Sequence, residues 1–446
     1  MKWKAYPEYK NSGVDWLGDV PVGWTVKRLR FTIQTNPSKS ETNDMYSDTS
    51  VSFIPMEAVG EYGGLCLDKT RSLNEVKNGF TYFRDGDVLV AKITPCFENG
   101  KGAIAAGLEN GVGFGTTELH VLRPKPKIDQ RYLFYLTISY AFRQIGKAHM
   151  YGAGGQKRVP DDFIRNLRHP MPFIDEQHAI ATFLDRETER IDALIAKKER
   201  QIELLQEKRA SLISHVVTKG LDPKVKMKDS GIEWLGEIPE HWTVCLLKRA
   251  ADMTYGMAGE LDRTLTEGTR IISLPNVNID GDFVLNEVPF ADVPVDQRPD
   301  LLLQHGDLLF NWRNGSSDHL GKTAYFDLKG EYTHVSFLLR LRFNPEKHNS
   351  QYFQCLLTGL RITGFFSSSK AGVNNTFNQS ELANLWVMVP PLEEQRSIAD
   401  YLNRETSRIR DLVATMQQSI DKLHEYRTAL ISATVTGKID VRKEVA

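Results

Sequence analysis

Residues 12–21 read SGVDWLGDVP, and the same stretch recurs at residues 230–239 as SGIEWLGEIP. The two copies are offset by 218 residues. A second block far downstream repeats with the same offset, since Glu176-Gln177 returns as Glu394-Gln395. Two distant blocks that share one offset indicate a tandem duplication of a unit about half as long as the chain. We call residues 12–21 and their copy the openers.

Each copy ends in a long amphipathic pattern. Apolar residues recur every three or four positions through residues 180–213 and again through residues 398–431, which is typical of helices with a coiled-coil seam. Gly220 and Gly437 follow these patterns as predicted helix stops. Basic and acidic residues nearly cancel between positions 186 and 209, which indicates a surface that faces solvent or a partner rather than DNA. The first pattern would be roughly 50 Å long at ~1.5 Å per residue, and we expect the two helices to pair as a ruler between two variable domains.

Composition restricts the class of protein. The chain has 446 residues, of which 41% are hydrophobic and 25% charged, as in globular proteins of two or three domains. Its formal net charge is −1, so a DNA-binding surface must be a local basic patch or be completed by a partner. No run approaches the ~20 apolar residues of a membrane helix, and residues 1–6 lack the apolar core of a signal peptide. The four cysteines are far apart and form no CxxC pair, which favours a cytoplasmic protein without zinc or disulfides.

The long stretches between opener and helix agree only thinly between the two copies. Residues 87–90, 307–310 and 335–341 predict strands, and residues 132–140 and 352–360 predict helices. The predicted fold class is therefore α+β. It has two mixed α/β domains separated by an antiparallel pair of long coiled-coil-like helices, related by a pseudo-twofold axis that follows from the duplication.

Two loops in each copy combine glycine with polar side chains suited to DNA. The first loop, residues 92–101 in one copy and 311–317 in the other, follows the strand predicted at residues 87–90 or 307–310. The second loop, residues 151–158 and 369–376, precedes the final strand of each copy. Asn, Gln and Arg can form bidentate bonds to base edges, Lys neutralises phosphates, and glycine lets the backbone approach a duplex. The region from 147 to 168 holds five basic residues, Lys147, Lys157, Arg158, Arg165 and Arg168, against two acidic ones, Asp161 and Asp162. The candidate DNA-binding residues are Lys92, Lys101, Gln156, Lys157, Arg158, Asn311, Arg313, Asn314, Lys370, Asn374 and Asn375.

Motifs for catalysis fail on spacing. Five residues separate Gly315 from Gly321-Lys322-Thr323, whereas a phosphate-binding loop requires four. The Asn-Pro pairs at residues 36–37 and 344–345 are not followed by the second proline and aromatic residue expected of an adenine methyltransferase. The eleven histidines form no HxxxH pair. We therefore predict no catalytic residue and no metal site.

The combined pattern resembles the specificity subunits of Type I restriction-modification enzymes. The residues that carry the resemblance are residues 12–18 with their copy from Ser230, and Pro390-Pro391-Leu392-Glu393-Glu394-Gln395 with the weaker residues 172–177. The resemblance covers essentially the whole chain.

The resemblance implies target-recognition domains at residues 1–172 and 223–390, with spacer helices at residues 173–222 and 391–446. It implies that each domain reads one half of a split asymmetric sequence in double-stranded DNA, and that the chain itself is not an enzyme. The expected partners are two methyltransferase subunits and ATP-driven restriction subunits. S-adenosylmethionine, ATP and magnesium would be bound by those partners, and no cofactor by this chain.

Two other functions remain open. The chain could be a coiled-coil scaffold that organises proteins without reading DNA, which predicts no sequence-selective DNA binding even with a methyltransferase added. It could instead be a self-sufficient nuclease or methyltransferase with degenerate motifs, which predicts that the purified chain alone cuts or methylates DNA.

Overall fold

The chain divides into two units, each built from both long helices. Unit 1 combines residues 1–198 with residues 417–446, and unit 2 consists of residues 199–416. The computed structural model describes residues 3–153, 155–258, 265–313, 319–368 and 376–444.

Unit 1 contains, in chain order, β1 (Tyr9–Asn11), β2 (Asp19–Pro21), β3 (Thr25–Arg28), β4 (Ile33–Thr35), β5 (Ser50–Ile54), β6 (Thr70–Ser72), α1 (Leu73–Val76), β7 (Thr81–Arg84), β8 (Val88–Ala91), β9 (Gly102–Ile104), β10 (Val112–Gly115), β11 (Leu119–Pro124), α2 (Gln130–Ile138), α3 (Tyr140–Ala148), α4 (Asp161–Asn166), β12 (Arg168–Met171) and the first part of α5 (Ile174–Lys219).

Two four-stranded sheets form the body of unit 1, with strand orders β6-β5-β10-β7 and β4-β11-β8-β9. They pack on each other, because Phe83 of β7 shares one buried apolar cluster with Leu89 of β8 and Val121 of β11. β12 pairs with β3, so the chain returns to the segment that follows the opener just before α5 begins.

Unit 2 contains, in chain order, the last part of α5, β13 (Met227–Asp229), β14 (Glu237–Pro239), β15 (Thr243–Leu246), β16 (Ala251–Tyr255), β17 (Thr269–Ile272), β18 (Phe290–Ala291), α6 (Arg298–Leu301), β19 (Leu308–Asn311), β20 (Thr323–Tyr325), β21 (Tyr332–His334), β22 (Leu338–Phe343), α7 (Ser350–Ile362), α8 (Phe365–Ser368), α9 (Gln379–Ala383), β23 (Trp386–Val389) and the first part of α10 (Leu392–Val435), which ends in unit 1.

The sheets of unit 2 follow the plan of unit 1. The order β16-β22-β19-β20 corresponds to β4-β11-β8-β9, and β15 pairs with β23 as β3 pairs with β12. A smaller sheet has the order β18-β17-β21. The strand predicted over residues 335–341 is confirmed from Leu338 onward as β22, but its predicted start is wrong. A turn at residues 336–337 separates β21 from β22, and Leu338 N donates to Val335 O at 2.9 Å.

Each opener forms the loop of a short hairpin, β1-β2 or β13-β14. Ser12 N donates to Gly18 O at 3.1 Å, which closes the loop. Gly13 and Gly18 have φ angles of 67° and 60°, and Gly231 and Gly236 have 73° and 60°. These left-handed conformations favour glycine, which explains why both glycines recur in the repeat.

The two long helices match their predicted course. α5 has 46 residues and is followed by Gly220 at a φ of 77°, and α10 has 44 residues and is followed by Gly437 at a φ of 75°. Both predicted helix stops are thereby confirmed.

The helices pair in opposite chain directions within each unit. In unit 1, Arg427 of α10 forms an ion pair with Asp192 of α5 at 3.2 Å. In unit 2, Ile213 of α5 and Ile398 and Leu402 of α10 belong to one buried cluster. The start of α5 thus shares a unit with the end of α10, which confirms the predicted antiparallel pair.

Repeated buried residues make the same bonds in both copies. Gln177 and Gln395 are fully buried at the starts of α5 and α10. Each accepts a hydrogen bond from a backbone N–H, that of Asp129 at 2.9 Å or of Asn349 at 2.8 Å. Each donates to a proline carbonyl five positions upstream, at 2.9 and 2.8 Å. This fixes the entry of each helix onto its own unit.

A buried carboxylate performs a second repeated role. Asp87 binds the Arg123 guanidinium with two hydrogen bonds of 2.7 and 2.8 Å, and Asp307 binds Arg342 with bonds of 2.8 and 2.7 Å. Burial alone would lower the pKa of Arg123, but its carboxylate partners outweigh burial and raise that pKa. Both copies have glycine directly before this aspartate, at residues 86–87 and 306–307, and these Gly-Asp pairs therefore belong to the scaffold.

Candidate nucleic-acid interface

The two predicted loops of unit 1 lie side by side. Thr94 N donates to Lys157 O at 2.9 Å, and Lys157 N donates to Thr94 Oγ1 at 2.7 Å. Tyr151 and Arg158 bond to each other through their backbones, which joins the two ends of the second loop. The fold thus joins two candidate loops that are 63 positions apart at this contact.

The candidate side chains on these loops differ in exposure. Gln156 and Lys157 are exposed, whereas Lys92 and Lys101 are half-buried. Lys101 Nζ donates to Met56 O at 3.3 Å. Among the ion pairs of the described residues, none involves Lys92 or Lys157. Of these four candidates, Gln156 and Lys157 are therefore the two most accessible to a ligand.

Arg158 is held by a carboxylate that its local sequence does not reveal. Its Nε and Nη2 atoms each donate to the Glu118 carboxylate at 2.9 Å. The hydrogen bond from Arg158 holds the pKa of Glu118 below its usual range. Since one edge of the guanidinium is occupied, Arg158 offers DNA only its remaining N–H groups unless Glu118 is displaced.

Aromatic and cationic residues support the first loop from behind. Tyr62 N donates to Gly100 O at 3.1 Å. The Tyr62 ring lies 5.0 Å from the Arg143 guanidinium and 4.7 Å from that of Arg427, contacts that favour a fixed ring. Arg143 also donates to Glu98 O at 3.1 Å. The first loop is therefore tied to α3 and α10 within unit 1.

The loops of unit 2 also come together, with different chemistry. Phe377 N donates to Trp312 O at 2.7 Å, and Arg313 forms a backbone bridge with Thr376. Arg313 is exposed, and its guanidinium lies 5.8 Å from the ring centre of Phe337, which is 43% exposed. The described surface of this loop pair therefore combines a cation with aromatic rings.

The structure corrects the prediction that was made for Asn311. Its side chain is fully buried in β19, and its Nδ2 donates to His319 O at 3.0 Å. The prediction that Asn311 contacts DNA is wrong, because every residue of β19 is buried. Asn314, Lys370, Asn374 and Asn375 lie outside the described residues, so their contact with DNA stays a prediction.

The basic region predicted from residue 147 to 168 is less positive than the sequence indicates. Lys147 forms an ion pair with Glu98 at 3.0 Å, and Arg158 is paired with Glu118. Sequence reasoning also missed Tyr151, an aromatic residue that is 67% exposed at the start of the second loop. Its position directly before a glycine-rich loop was the available signal.

No group of three or more potential metal ligands occurs among the described residues. The four cysteines are free thiols. Within the described ranges, no helix combines the length and the hydrophobicity needed to cross a membrane.

Comparison with known proteins shows that the chain matches a protein family over two segments. Residues 21–204 and 285–422 match the family described as Type I restriction modification DNA specificity domain. The chain is 41% identical over 164 residues to the EcoAI specificity subunit of Escherichia coli, covering 36% of this chain and 27% of that protein. It thus spans about a quarter of the length of that relative and of the E. coli EcoEI subunit.

Other relatives match over nearly the full length. The putative MjaX specificity subunit of Methanocaldococcus jannaschii is 24% identical over 96% of both chains. A chain of a solved type I R-M system has the same fold, with a TM-score of 0.75, 18% identity and coverage of 94% of this chain and 99% of that chain. The HsdS subunit of Thermoanaerobacter tengcongensis has a TM-score of 0.56, 17% identity and coverage of 94% and 98%.

The two matched segments together cover well over half of the chain, and they fall in different copies of the repeat. The chain therefore belongs to the Type I restriction-modification DNA specificity family.

Proposed function

We propose that this chain is the non-catalytic subunit that reads DNA sequence for a Type I restriction-modification complex. It binds an asymmetric, two-part target in double-stranded DNA, with one loop pair per unit for each part. The observation that carries this proposal is that a duplicated scaffold presents two loop pairs at equivalent places with different side chains.

The chemistry of the loops supports two different half-sites. Unit 1 offers Gln156 and Lys157 beside Arg158, whereas unit 2 offers Arg313 over Phe337. Glutamine is suited to adenine and arginine to guanine in the major groove. Because the two units share a scaffold but present different side chains on their loops, we expect the two halves of the target to differ in sequence.

The chemistry of modification and cleavage then belongs to partners. We propose two methyltransferase subunits, which bind S-adenosylmethionine, and restriction subunits, which use ATP and magnesium. The net charge of −1 supports this division, since a nearly neutral reader gains from additional phosphate contacts made by partners. The predicted helix stretch of roughly 50 Å exceeds one DNA turn of ~34 Å, so we propose that unread base pairs separate the half-sites.

Methylome sequencing of cells that carry the complete system tests the proposal. We expect methylation at one asymmetric motif made of two parts. Replacing residues 31–170 with the matching segment of another family member should change one part only, and the matched replacement of residues 249–388 should change the other. If either replacement changed both parts, the assignment of one half-site to each unit would be wrong. If the intact system marked no motif, a scaffold without sequence readout would be favoured.

A further inference from the structure

Two arginines stand opposite each other on the outer strand pair of unit 1. Arg28 of β3 and Arg168 of β12 are direct cross-strand partners, and both are exposed. Like charges at such positions repel and destabilise a strand pair. Neither arginine takes part in an ion pair of the described residues, and Arg168 donates instead to the backbone oxygen of Gly13 at 2.9 Å. Among the described residues, these two like charges therefore lie side by side with no carboxylate within ion-pair distance of either.

Further cations extend this surface. Arg30 follows β3 and donates to Asn166 Oδ1 at 3.2 Å, and Lys125 Nζ donates to Arg30 O at 3.1 Å. Both side chains are exposed. We define the basic face as Arg28, Arg30, Lys125 and Arg168. Lys147 and Arg158 are matched by carboxylates, whereas none of the four cations of the basic face takes part in an ion pair of the described residues.

The duplication supplies an internal comparison. At the offset of 218, the partners of Arg28 and Arg168 are Leu246 and Trp386, which face each other in the pair β15-β23. The neighbouring contact is retained, because Lys248 Nζ donates to Asn384 Oδ1 at 2.8 Å as Arg30 does to Asn166. The Arg30 contact thus belongs to the common scaffold, whereas the arginine pair is a feature of unit 1.

The basic face lies close to the candidate loops of unit 1 along a short element. Helix α4 begins at Asp161, three residues after Arg158, and ends at Asn166, which Arg30 contacts. Its six residues rise roughly 9 Å at ~1.5 Å per residue. This separation is well below the ~34 Å length of one turn of B-DNA, so a single duplex is long enough to contact both the loops and the basic face.

We propose that the basic face binds the phosphate backbone of DNA beside the half-site read by unit 1, and that the strand pair of unit 2 does not. Arginine pairs well with phosphate oxygens in bidentate geometry. Such contacts hold the protein on the duplex without reading bases. This inference rests on the proposed function, and it adds an asymmetric phosphate clamp to it.

The test measures binding of the complete complex with its methyltransferase subunits to a duplex that carries the methylated motif. Binding constants are determined across a salt series for the wild type and for Arg28→Ala/Arg168→Ala. Each lost phosphate contact reduces the steepness of log K against log salt by about 0.9, so the double variant should reduce it by about 1.8. The preference for the motif over an unrelated duplex should be unchanged, since phosphate contacts weaken binding uniformly across sequences.

Two matched variants complete the design. Lys69→Ala/Arg84→Ala removes the same charge from unit 1, but each of these cations already pairs with a glutamate, at 3.8 and 3.5 Å, so the slope should change little. Arg28→Lys/Arg168→Lys keeps the charge and should keep most of the slope.

The outcomes separate the inference from the proposed function. An unchanged slope in the double alanine variant, with motif preference intact, would overturn the phosphate clamp and leave the proposed function standing. Loss of complex assembly in the double alanine variant, with assembly retained in Lys69→Ala/Arg84→Ala, would assign the basic face to an acidic protein surface and also overturn the clamp. A wild-type complex without motif preference would contradict the proposed function itself.

Discussion

Asp87 links β8 to β11 in unit 1, and we expect Asp87→Asn to loosen that sheet selectively. Its side chain is 1% exposed and binds Arg123 through two bonds of 2.7 and 2.8 Å, and it also accepts from Arg84 N at 2.9 Å. The substitution keeps the volume but removes the charge and turns amide hydrogens toward the guanidinium. Breaking a buried ion pair costs ~3–5 kcal/mol. Arg123 retains Glu41 at 2.7 Å, so we expect the low end, about 3 kcal/mol.

Amide hydrogen exchange on the full chain measures this loss where it occurs. Exchange of the β8 and β11 amides should become about 100-fold faster, while β19 and β22 in unit 2 keep their protection. Asp85→Asn is the matched control, because Asp85 is exposed and accepts from Leu108 N at 3.1 Å, and it should cost less than ~1.5 kcal/mol. Unchanged protection in β8, or equal loss in β19, would refute the reasoning.

Three further predictions concern single residues. Gly437→Ala places a Cβ 2.5 Å from a proline ring at a φ of 75°, and denaturant unfolding should show a loss of stability of about 2–4 kcal/mol. Gly18→Ala has a φ of 60° and open space around the new Cβ, so it should cost only about 1–2 kcal/mol. Equal losses in the two variants would contradict the steric argument. Burial lowers the pKa of His169 to about 4, so below pH ~6.5 the unfolded chain binds a proton that the folded chain does not bind. The free energy of unfolding should therefore fall as the pH drops from ~6.5 to ~4, by up to ~1.4 kcal/mol per pH unit. His169→Asn should make this pH dependence shallower in chemical denaturation, and an unchanged dependence would refute the role of His169. Arg158→Ala or Arg313→Ala should relax the base preference at one position of the methylated motif and weaken the binding free energy by ~1–3 kcal/mol. An unchanged methylome would show that the substituted residue does not belong to the interface.

Much of the fold was predictable because the duplication shows the same sequence pattern twice, so that each copy supports the prediction made for the other. The offset of 218 residues aligns Gln177 with Gln395, and the structure shows why both remain, since each bonds a loop N–H and a proline carbonyl at a helix start. The helices were predictable because their apolar spacing persists over many turns and ends at Gly220 and Gly437.

The candidate interface was harder to predict, because its electrostatics depend on residues distant in sequence. Glu118 neutralises Arg158 from 40 positions away, and a scan of residues 147–168 cannot include it. Arg28 and Arg168 become neighbours only when β3 pairs with β12. Asn311 was misjudged for a local reason, since it ends a strand whose preceding three residues are all large and apolar, and that run already indicates burial.

The matching hydrogen bonds at the starts of α5 and α10 also affect how such chains can change over generations. A genetic crossover in register between the codons for Gln177 and Gln395 would join a loop of one copy to the helix of the other. At the new junction, the glutamine would again accept from a backbone N–H and donate to a proline carbonyl, with nearly the same bond lengths. Exchange of the segments that precede this point would therefore preserve the hydrogen bonds that hold the start of each long helix.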